Sequence, residues 1–385
     1  MKEDQNKSRV QQEAKLAWEA GGHWGLLAMA TGTGKSKIAI DAVTELCEPM
    51  FAKPRILLVV PTEKLRDDNW LDEFNKWGAG KWYKNLQRSC YVSITKYEMQ
   101  SYDLVILDEA HNLTERNSDF FARNTVQRVL ALTATPPNPK GSETDKAKAL
   151  LFQQFRIKTD FEYTLDQAVS SGLVAPFEIK VVECTLDDTQ KYIKAGNEKN
   201  RFYQTEVQAY KYISGLILKL QIAKKEDVLK FKYMERMRLV QNSIAKAKLA
   251  EHIIKTKMAP DDRALIFCGS IAQAETLMGS AVYHSKSGDA ALRAFQDKVL
   301  NKLGCVEALN EGINVPDVDQ GLIVQLNSSK KDLVQRIGRL IRKRPGHKAI
   351  VWIIVAVDTV DKNWFEKAIE GFDKSVIEYI HAKNL

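Results

Sequence analysis

Asp108 and Glu109 stand side by side at the end of an apolar run, Leu104-Val-Ile-Leu107, and Ala110-His111 follow at once. Four apolar residues in a row read as a short strand buried on both faces of a parallel sheet. In open α/β sheets the ligand crevice lies beyond the carboxyl ends of the strands, so these side chains fall where a ligand binds. Adjacent carboxylates repel unless something cationic sits between them, and a magnesium-bound phosphate supplies that charge. One carboxylate can hold the metal, directly or through water, while the other orients an attacking water.

A second constellation lies upstream. Thr31-Gly32-Thr33-Gly34-Lys35-Ser36 sits between a predicted strand, Trp24 to Ala30, and a predicted helix from about Lys37 to Leu46. Gly32 and Gly34 let backbone N–H groups approach phosphate oxygens, and a helix N-terminus adds partial positive charge. Lys35 reaches the β/γ-phosphates and the Ser36 hydroxyl can ligate magnesium. Met29 stands where the general phosphate-loop pattern begins with Gly. The loop gains its meaning from Asp108-Glu109 on a later buried strand.

The elements that position these residues alternate. Arg9 to Trp18 reads as a helix with Val10, Ala14, Ala17 and Trp18 on one face. Apolar strands are predicted at Arg55–Val60, Tyr91–Thr95, Asp103–Leu107 and Val129–Leu132, with helical stretches between them. Leu71, Phe74 and Trp77 recur at helical spacing and read as core. This alternation predicts a doubly wound parallel sheet. A second set of strands, at Ala264–Phe267, Val282–His284, Cys305–Ala308, Leu322–Leu326 and Ala349–Val357, predicts a second α/β domain without a phosphate loop.

Composition sets outer bounds. The chain has 385 residues, 44% of them hydrophobic and 28% charged, which suits a globular protein of two domains. Its polar start carries no secretory pattern, and its longest apolar run, Ala349 to Val357, is far too short to span a membrane. Five scattered cysteines argue against a zinc knuckle or a disulfide scaffold and suit the cytoplasm. A formal charge of +8 favours polyanionic partners.

Seven stretches in order carry a family resemblance: Thr31-Gly-Thr-Gly-Lys-Ser36, Val59-Val-Pro-Thr62, Asp108-Glu-Ala-His111, Thr133-Ala-Thr-Pro136, Ala264-Leu-Ile-Phe-Cys-Gly-Ser270, Glu311-Gly-Ile-Asn-Val-Pro316 and Gln335-Arg-Ile-Gly-Arg-Leu-Ile-Arg342. The chain resembles a superfamily 2 helicase or translocase of the DExH type over roughly residues 9 to 357. Motifs V and VI look most like those of compact phage and bacterial DNA-processing enzymes, which would place the protein in a host cytoplasm if it is of phage origin.

The resemblance implies two tandem RecA-like domains, 1–176 and 177–385, ATP and magnesium as cofactors, and nucleic acid as partner, DNA preferred over RNA. Asp108 and Ser36 would hold magnesium, and Glu109 would position or deprotonate the water. Thr31, Gly32, Thr33, Gly34 and Lys35 would cradle the phosphates, with Gln12, beside Arg9, reading the adenine. Gly312 and Asn314 would lie near the ribose. Arg339 and Arg342 would be arginine fingers and Gln335 a neighbour of the γ-phosphate. Arg336 shares their spacing of three, and Gly338 interrupts the helix they occupy. His111, Thr133 and Thr135 would couple hydrolysis to domain movement. Pro61, Thr62, Thr95 and Ser270 match positions that touch the backbone of one strand, contacts that carry no base information. Val306 stands where some relatives carry a threonine in motif V.

The segment 186–258 is the least generic. It holds sixteen Lys or Arg against eight Asp or Glu and reads as mostly helical, a basic insertion. Its aromatics, Tyr192, Phe202, Tyr203, Tyr210, Tyr212, Phe231 and Tyr233, read mainly as core, and its charge as either a strand-binding groove or a solvated face. A C-terminal helix is predicted over 360–382. The function expected is an ATP-dependent DNA helicase or translocase. The alternatives are an RNA-dependent ATPase, since this fold hosts both, and a duplex-translocating subunit of a larger complex.

Overall fold

The computed structural model describes the chain except residues 1, 50–52, 197–199, 285, 307–314, 316–317, 327–332, 334–335, 339, 341–347 and 371. Its described residues fall into two compact units that divide between Ala175 and Pro176.

The first unit opens with α1 (Lys2–Ala20), whose Val10, Ala14 and Trp18 recur every four residues and are buried. The Trp18 indole donates to Val129 O at 2.8 Å, which fixes the helix to the sheet. The strands follow as β1 (Trp24–Met29), β2 (Ile56–Val60), β3 (Gln87–Cys90), β4 (Ser101–Tyr102), β5 (Leu104–Leu107), β6 (Thr125–Val126), β7 (Val129–Thr133) and β8 (Lys158–Tyr163). Six of them form one parallel sheet in the order β3-β2-β5-β7-β1-β8, while β4 and β6 pair separately. The central strands are the continuous apolar runs that a sheet covered on both faces requires. The edge strand β8 is polar and mostly exposed, so a search for apolar runs passes over it.

Two corrections belong to this unit. The strand predicted at Tyr91–Thr95 is displaced: β3 ends at Cys90, and Tyr91–Lys96 is a 3₁₀ turn. Asn117 Nδ2 donates to Tyr91 O at 2.8 Å, so the chain at Tyr91 is bound to a turn instead of a neighbouring strand. In α3 (Trp70–Lys76), Phe74 is buried as expected, but Trp77 just beyond it is 44% exposed, with the Lys37 and Lys76 ammonium groups over its ring.

The second unit carries β9 (Phe177–Cys184), β10 (Ile193–Gly196), β11 (Arg201–Gln204), β12 (Ala264–Phe267), β13 (Val282–His284), β14 (Lys302–Val306), β15 (Gln320–Ile323), β16 (Ala349–Ala356) and β17 (Ile377–His381). Seven described strands make a parallel sheet in the order β13-β14-β12-β15-β16-β9-β17. The segment 186–258 is mostly helical, as expected. It begins with the antiparallel β10–β11 hairpin before the helices Glu206–Ile222, Glu226–Gln241 and Ile244–Thr256. Its aromatics are mostly outside: Phe202, Tyr203, Tyr212 and Phe231 are all more than half exposed. A two-stranded ribbon and a helix pair have too few layers to enclose them.

The C-terminal expectation also changes. The helix stops at Ala368, and Ile377–His381 pairs in parallel with β9. Val376-Ile377 and Tyr379-Ile380 are β-branched and aromatic residues suited to a pleated edge.

One buried ion pair braces this unit. Lys246 Nζ and Asp361 Oδ2 lie 2.6 Å apart, both side chains fully buried, and Asp361 also accepts from Ala356 N. All five cysteines are buried and unpaired, and burial raises the pKa of each thiol, to about 12 for Cys184 and Cys268. Among the described residues no helix is long and apolar enough to cross a membrane.

Lys246→Met would leave the Asp361 carboxylate buried without its cation, a change that costs about 3–5 kcal/mol. Urea unfolding should show that loss. A loss under about 1 kcal/mol, the worth of an exposed pair, would remove the ion pair from its bracing role.

Candidate active site

The glycine-rich loop links β1 to α2 (Lys35–Cys47), and its shape depends on two glycines. Gly32 and Gly34 have φ of +87° and +91°, a region side chains rarely adopt. At Gly34 a Cβ would also meet the Gln11 amide at 2.1 Å. Gln11 Nε2 donates to Thr33 O at 3.0 Å, which ties α1 to the loop. Gln12, the expected adenine neighbour, has an exposed side chain. It is Gln11 that reaches the loop.

Within the loop the hydroxyls divide. Thr33 is fully buried and its Oγ1 donates to Ala30 O at 2.7 Å, so its side chain is spent on the loop itself. Thr31 Oγ1 is buried with no hydrogen-bond partner. Lys35 Nζ donates to Met29 O at 2.8 Å. Burial pulls the Lys35 pKa down, against the upward pull of Glu109 and Asp108.

Those carboxylates stand at the end of β5, where Asp108 N continues the sheet by donating to Val59 O at 2.9 Å. Asp108 Oδ2 accepts the Trp70 indole N–H at 2.9 Å, and Oδ1 accepts Glu109 N at 3.0 Å. Burial, then the neighbouring Glu109 charge, raises the Asp108 pKa to about 7, while Trp70 and Lys35 oppose the shift. Trp70 follows a π-helical turn, Leu65–Asn69, and opens α3. Wide turns of this kind recur at functional sites because they re-aim a side chain.

Glu109 turns the chain sharply, with φ +47° and ψ +55°. A non-glycine residue keeps that conformation only where its surroundings fix it. Its Oε2 is buried without a hydrogen bond, 3.5 Å from His111 Nδ1. His111 is buried. Its Nε2 faces Asn112 Nδ2 at 3.3 Å, which makes Nε2 an acceptor and leaves the proton on Nδ1. His111 Nδ1 then donates to Thr133 Oγ1 at 2.8 Å, and Thr135 Oγ1 lies 3.3 Å away. Thr135 N donates to Thr133 Oγ1 at 3.1 Å. The three residues expected to act together are one hydrogen-bonded cluster.

The remaining expected residues are dispersed. Pro61 and Thr95 line a cavity of the first unit, and Thr62 Oγ1 accepts Leu65 N at 3.4 Å. In the second unit Ser270 caps the helix Ile271–Met278 and donates to Asn242 Oδ1 at 2.9 Å. Arg336 is nearly buried, donates to Gln325 O at 2.9 Å and lies over the Phe267 ring, a packing role. Gly312, Asn314, Gln335, Arg339 and Arg342 lie outside the described residues.

The first-unit site suits a magnesium nucleotide. Thr31 Oγ1 and Glu109 Oε2 are buried polar atoms without hydrogen bonds, and the loop presents its backbone at the N-terminus of α2. Ser36 and Asp108 offer the hard oxygen ligands that magnesium takes alongside phosphates and water.

Comparisons agree with this chemistry. Residues 5–138 match the family of the type III restriction enzyme res subunit, and residues 245–344 match the helicase conserved C-terminal domain. Over 377 residues the chain is 22% identical to a DNA 3'-5' translocase XPB2 of Sulfurisphaera tokodaii, covering 89% of this chain and 80% of that one. Two solved structures share the fold. One is the ATP-dependent type ISP restriction-modification enzyme LlaBIII bound to DNA, with a TM-score of 0.59 at 16% identity; the match covers 97% of this chain and 31% of that one. The other is S. cerevisiae Dbp5 bound to RNA and ADP BeF3, with a TM-score of 0.61 at 14% identity, covering 97% and 89%. The chain therefore spans most of the archaeal relative and under a third of the restriction enzyme. The two family matches, in order on two parallel-sheet units, support an ATP-dependent helicase or translocase of superfamily 2.

The Asp108 shift predicts a pH effect in metal-free buffer. Asp108 has an ordinary value of 3.8 and a folded value of about 7, so the folded state holds its proton longer. The resulting stability is present below pH 3.8 and is lost as pH rises through about 7. Asp108→Asn should flatten that decline in melting temperature. Trp70→Phe, which removes an opposing N–H, should move its midpoint upward. Curves for wild type and Asp108→Asn that stay parallel across this window would assign the decline to other groups.

Proposed function

We propose that the chain is an ATP-driven motor of the DExH type that translocates along DNA and separates or remodels its strands. The observation that carries this reading is the site at the ends of β1 and β5, where the loop lysine shares its electrostatic environment with two adjacent carboxylates. The similarity to a DNA 3'-5' translocase of Sulfurisphaera tokodaii supports DNA as the track.

Lys35 leaves the Met29 carbonyl to bind β- and γ-phosphate oxygens, and backbone N–H groups of the loop hold the rest. Asp108 and Ser36 would hold magnesium, which would supply positive charge to the phosphates. Glu109, whose free carboxylate oxygen is already buried, orients the attacking water and takes its proton. His111, Thr133 and Thr135 pass the state of that carboxylate to the end of β7. Arg339 and Arg342 serve as arginine fingers on the γ-phosphate with Gln335 beside it, a role worth on the order of 10³–10⁵ in rate. Gly312 and Asn314 lie by the ribose.

The track is held by backbone contacts from Pro61 and Thr95 and by the second unit's hairpins. There, exposed Phe202 and Tyr203 follow exposed Arg201 on β11, and exposed Phe231 follows exposed Lys230 on the helix Glu226–Gln241. Aromatic faces beside cations suit a single strand, with bases stacked and phosphates neutralised.

ATP hydrolysis should rise when single-stranded DNA, duplex or a branched junction is added at fixed salt. Selective stimulation by RNA would replace the DNA reading with an RNA-dependent ATPase. Glu109→Gln should still bind ATP and lose at least about 10² in turnover; near-normal turnover would remove Glu109 from its role. Replacing Lys224, Lys225 and Lys230 with glutamine should flatten the dependence of log Kd on log salt. An unaltered slope would make that basic face a solvated one.

A further inference from the structure

A cavity of about 810 Å³ opens on the first unit beside the hydrolytic carboxylates. Pro61, Tyr91 and Val92 give it apolar surface, and Thr95 with the turn Asn112–Asn117 gives it hydroxyls, amides, the exposed Arg116 guanidinium and, beside it, the exposed Glu115 carboxylate. Val92 is 87% exposed at the mouth of the cavity.

The cavity wall is joined to the catalytic backbone at two points. The Tyr91 hydroxyl donates to Asp108 O at 2.9 Å. Asn112 Nδ2 donates to Glu109 O at 3.2 Å and also faces His111 Nε2. Buried Asn117 clamps these together: its Nδ2 donates to Tyr91 O, and its Oδ1 accepts both Thr114 N and Thr114 Oγ1 at 2.8 Å. Tyr91 and the 112–117 turn therefore form one hydrogen-bonded body. Glu109, held at φ +47°, takes one of its backbone hydrogen bonds from that body.

We propose that Asn112 and Tyr91 are positioning residues that transmit the presence of a strand held at Pro61 and Thr95, on the wall of this cavity, to Glu109 and Asp108. The inference rests on the motor reading above and adds the route by which the track sets the hydrolysis rate. Neither donor group is needed to grip the strand, because each is turned to a main-chain carbonyl. Strand binding and strand stimulation are therefore separable.

The test uses the full chain as Tyr91→Phe, Asn112→Ala and Val92→Asp, each checked by its melting temperature. A fluorescent single-stranded DNA reports affinity, and turnover is measured with and without that strand at saturation. In Tyr91→Phe and Asn112→Ala the ratio of stimulated to basal turnover should fall by about 5-fold or more, the lower end of usual coupling, while strand Kd changes much less. Val92→Asp sets a carboxylate in the cavity mouth and should weaken the Kd by about tenfold, as a misplaced charge at a phosphate site does.

A wild type stimulated by DNA, with both donor variants keeping its ratio, would overturn the coupling and leave the motor reading intact. A ratio that falls only in step with strand affinity would reduce both residues to binding contacts. Unaltered affinity in Val92→Asp would place the strand elsewhere. A wild type that no DNA or RNA stimulates would overturn the motor reading and this inference together. If Asn112→Ala melts early, Tyr91→Phe decides the matter, since it removes one oxygen.

Discussion

The repulsion between the carboxylates of Asp108 and Glu109 sets the terms for the first unit. Two negative charges one residue apart at the end of a buried strand cannot both be accommodated by water. Asp108 takes the Trp70 N–H and its neighbour's amide, while Glu109 bends the chain into the left-handed region and sends its carboxylate toward His111. Lys35 supplies the opposing charge at a cost in its own solvation. None of these groups is satisfied alone. The arrangement leaves charge of both signs unmatched, the state in which a ligand carrying both signs, such as a metal-bound polyphosphate, would be welcome.

The second unit handles buried charge differently. Glu206 is fully buried and accepts four hydrogen bonds, from Asp187 N, the Tyr192 hydroxyl, the Ser243 hydroxyl and Ile244 N. Nearby, Lys246 and Asp361 neutralise each other. A carboxylate this well supplied with donors has no capacity left for a ligand. It roots the basic hairpins instead, joining the loop after β9, the start of β10 and two helices at a single point. Buried charge is poised in one unit and spent in the other.

Much of this was legible in the residues. The loop, the paired carboxylates and the apolar strands declare themselves because their signals are local: a glycine conformation, a run of buried side chains, a strand end. What escaped the sequence depends on partners far apart in the chain. Trp70 looks like one more aromatic before Phe74, and nothing local says that Asp108, 38 residues on, takes its N–H. Gln11 and Gln12 are adjacent and alike, and only the rotation of α1 selects Gln11. The edge strands β8 and β17 are too polar or too short for an apolar search. The exposed aromatics of the second unit were misread because burial is decided by how many layers surround them, which composition does not state.

The five thiols, each buried and each held protonated by its apolar surroundings, have a use beyond packing. Maleimides and other electrophiles attack thiolates at the surface, so the native chain should be nearly silent toward them. A single cysteine introduced on each unit would then accept a donor and an acceptor dye with no need to strip the native ones. The chemistry that keeps these sulfurs inert makes the protein ready for single-molecule distance measurements, in which the separation of the two units can be followed through every turnover.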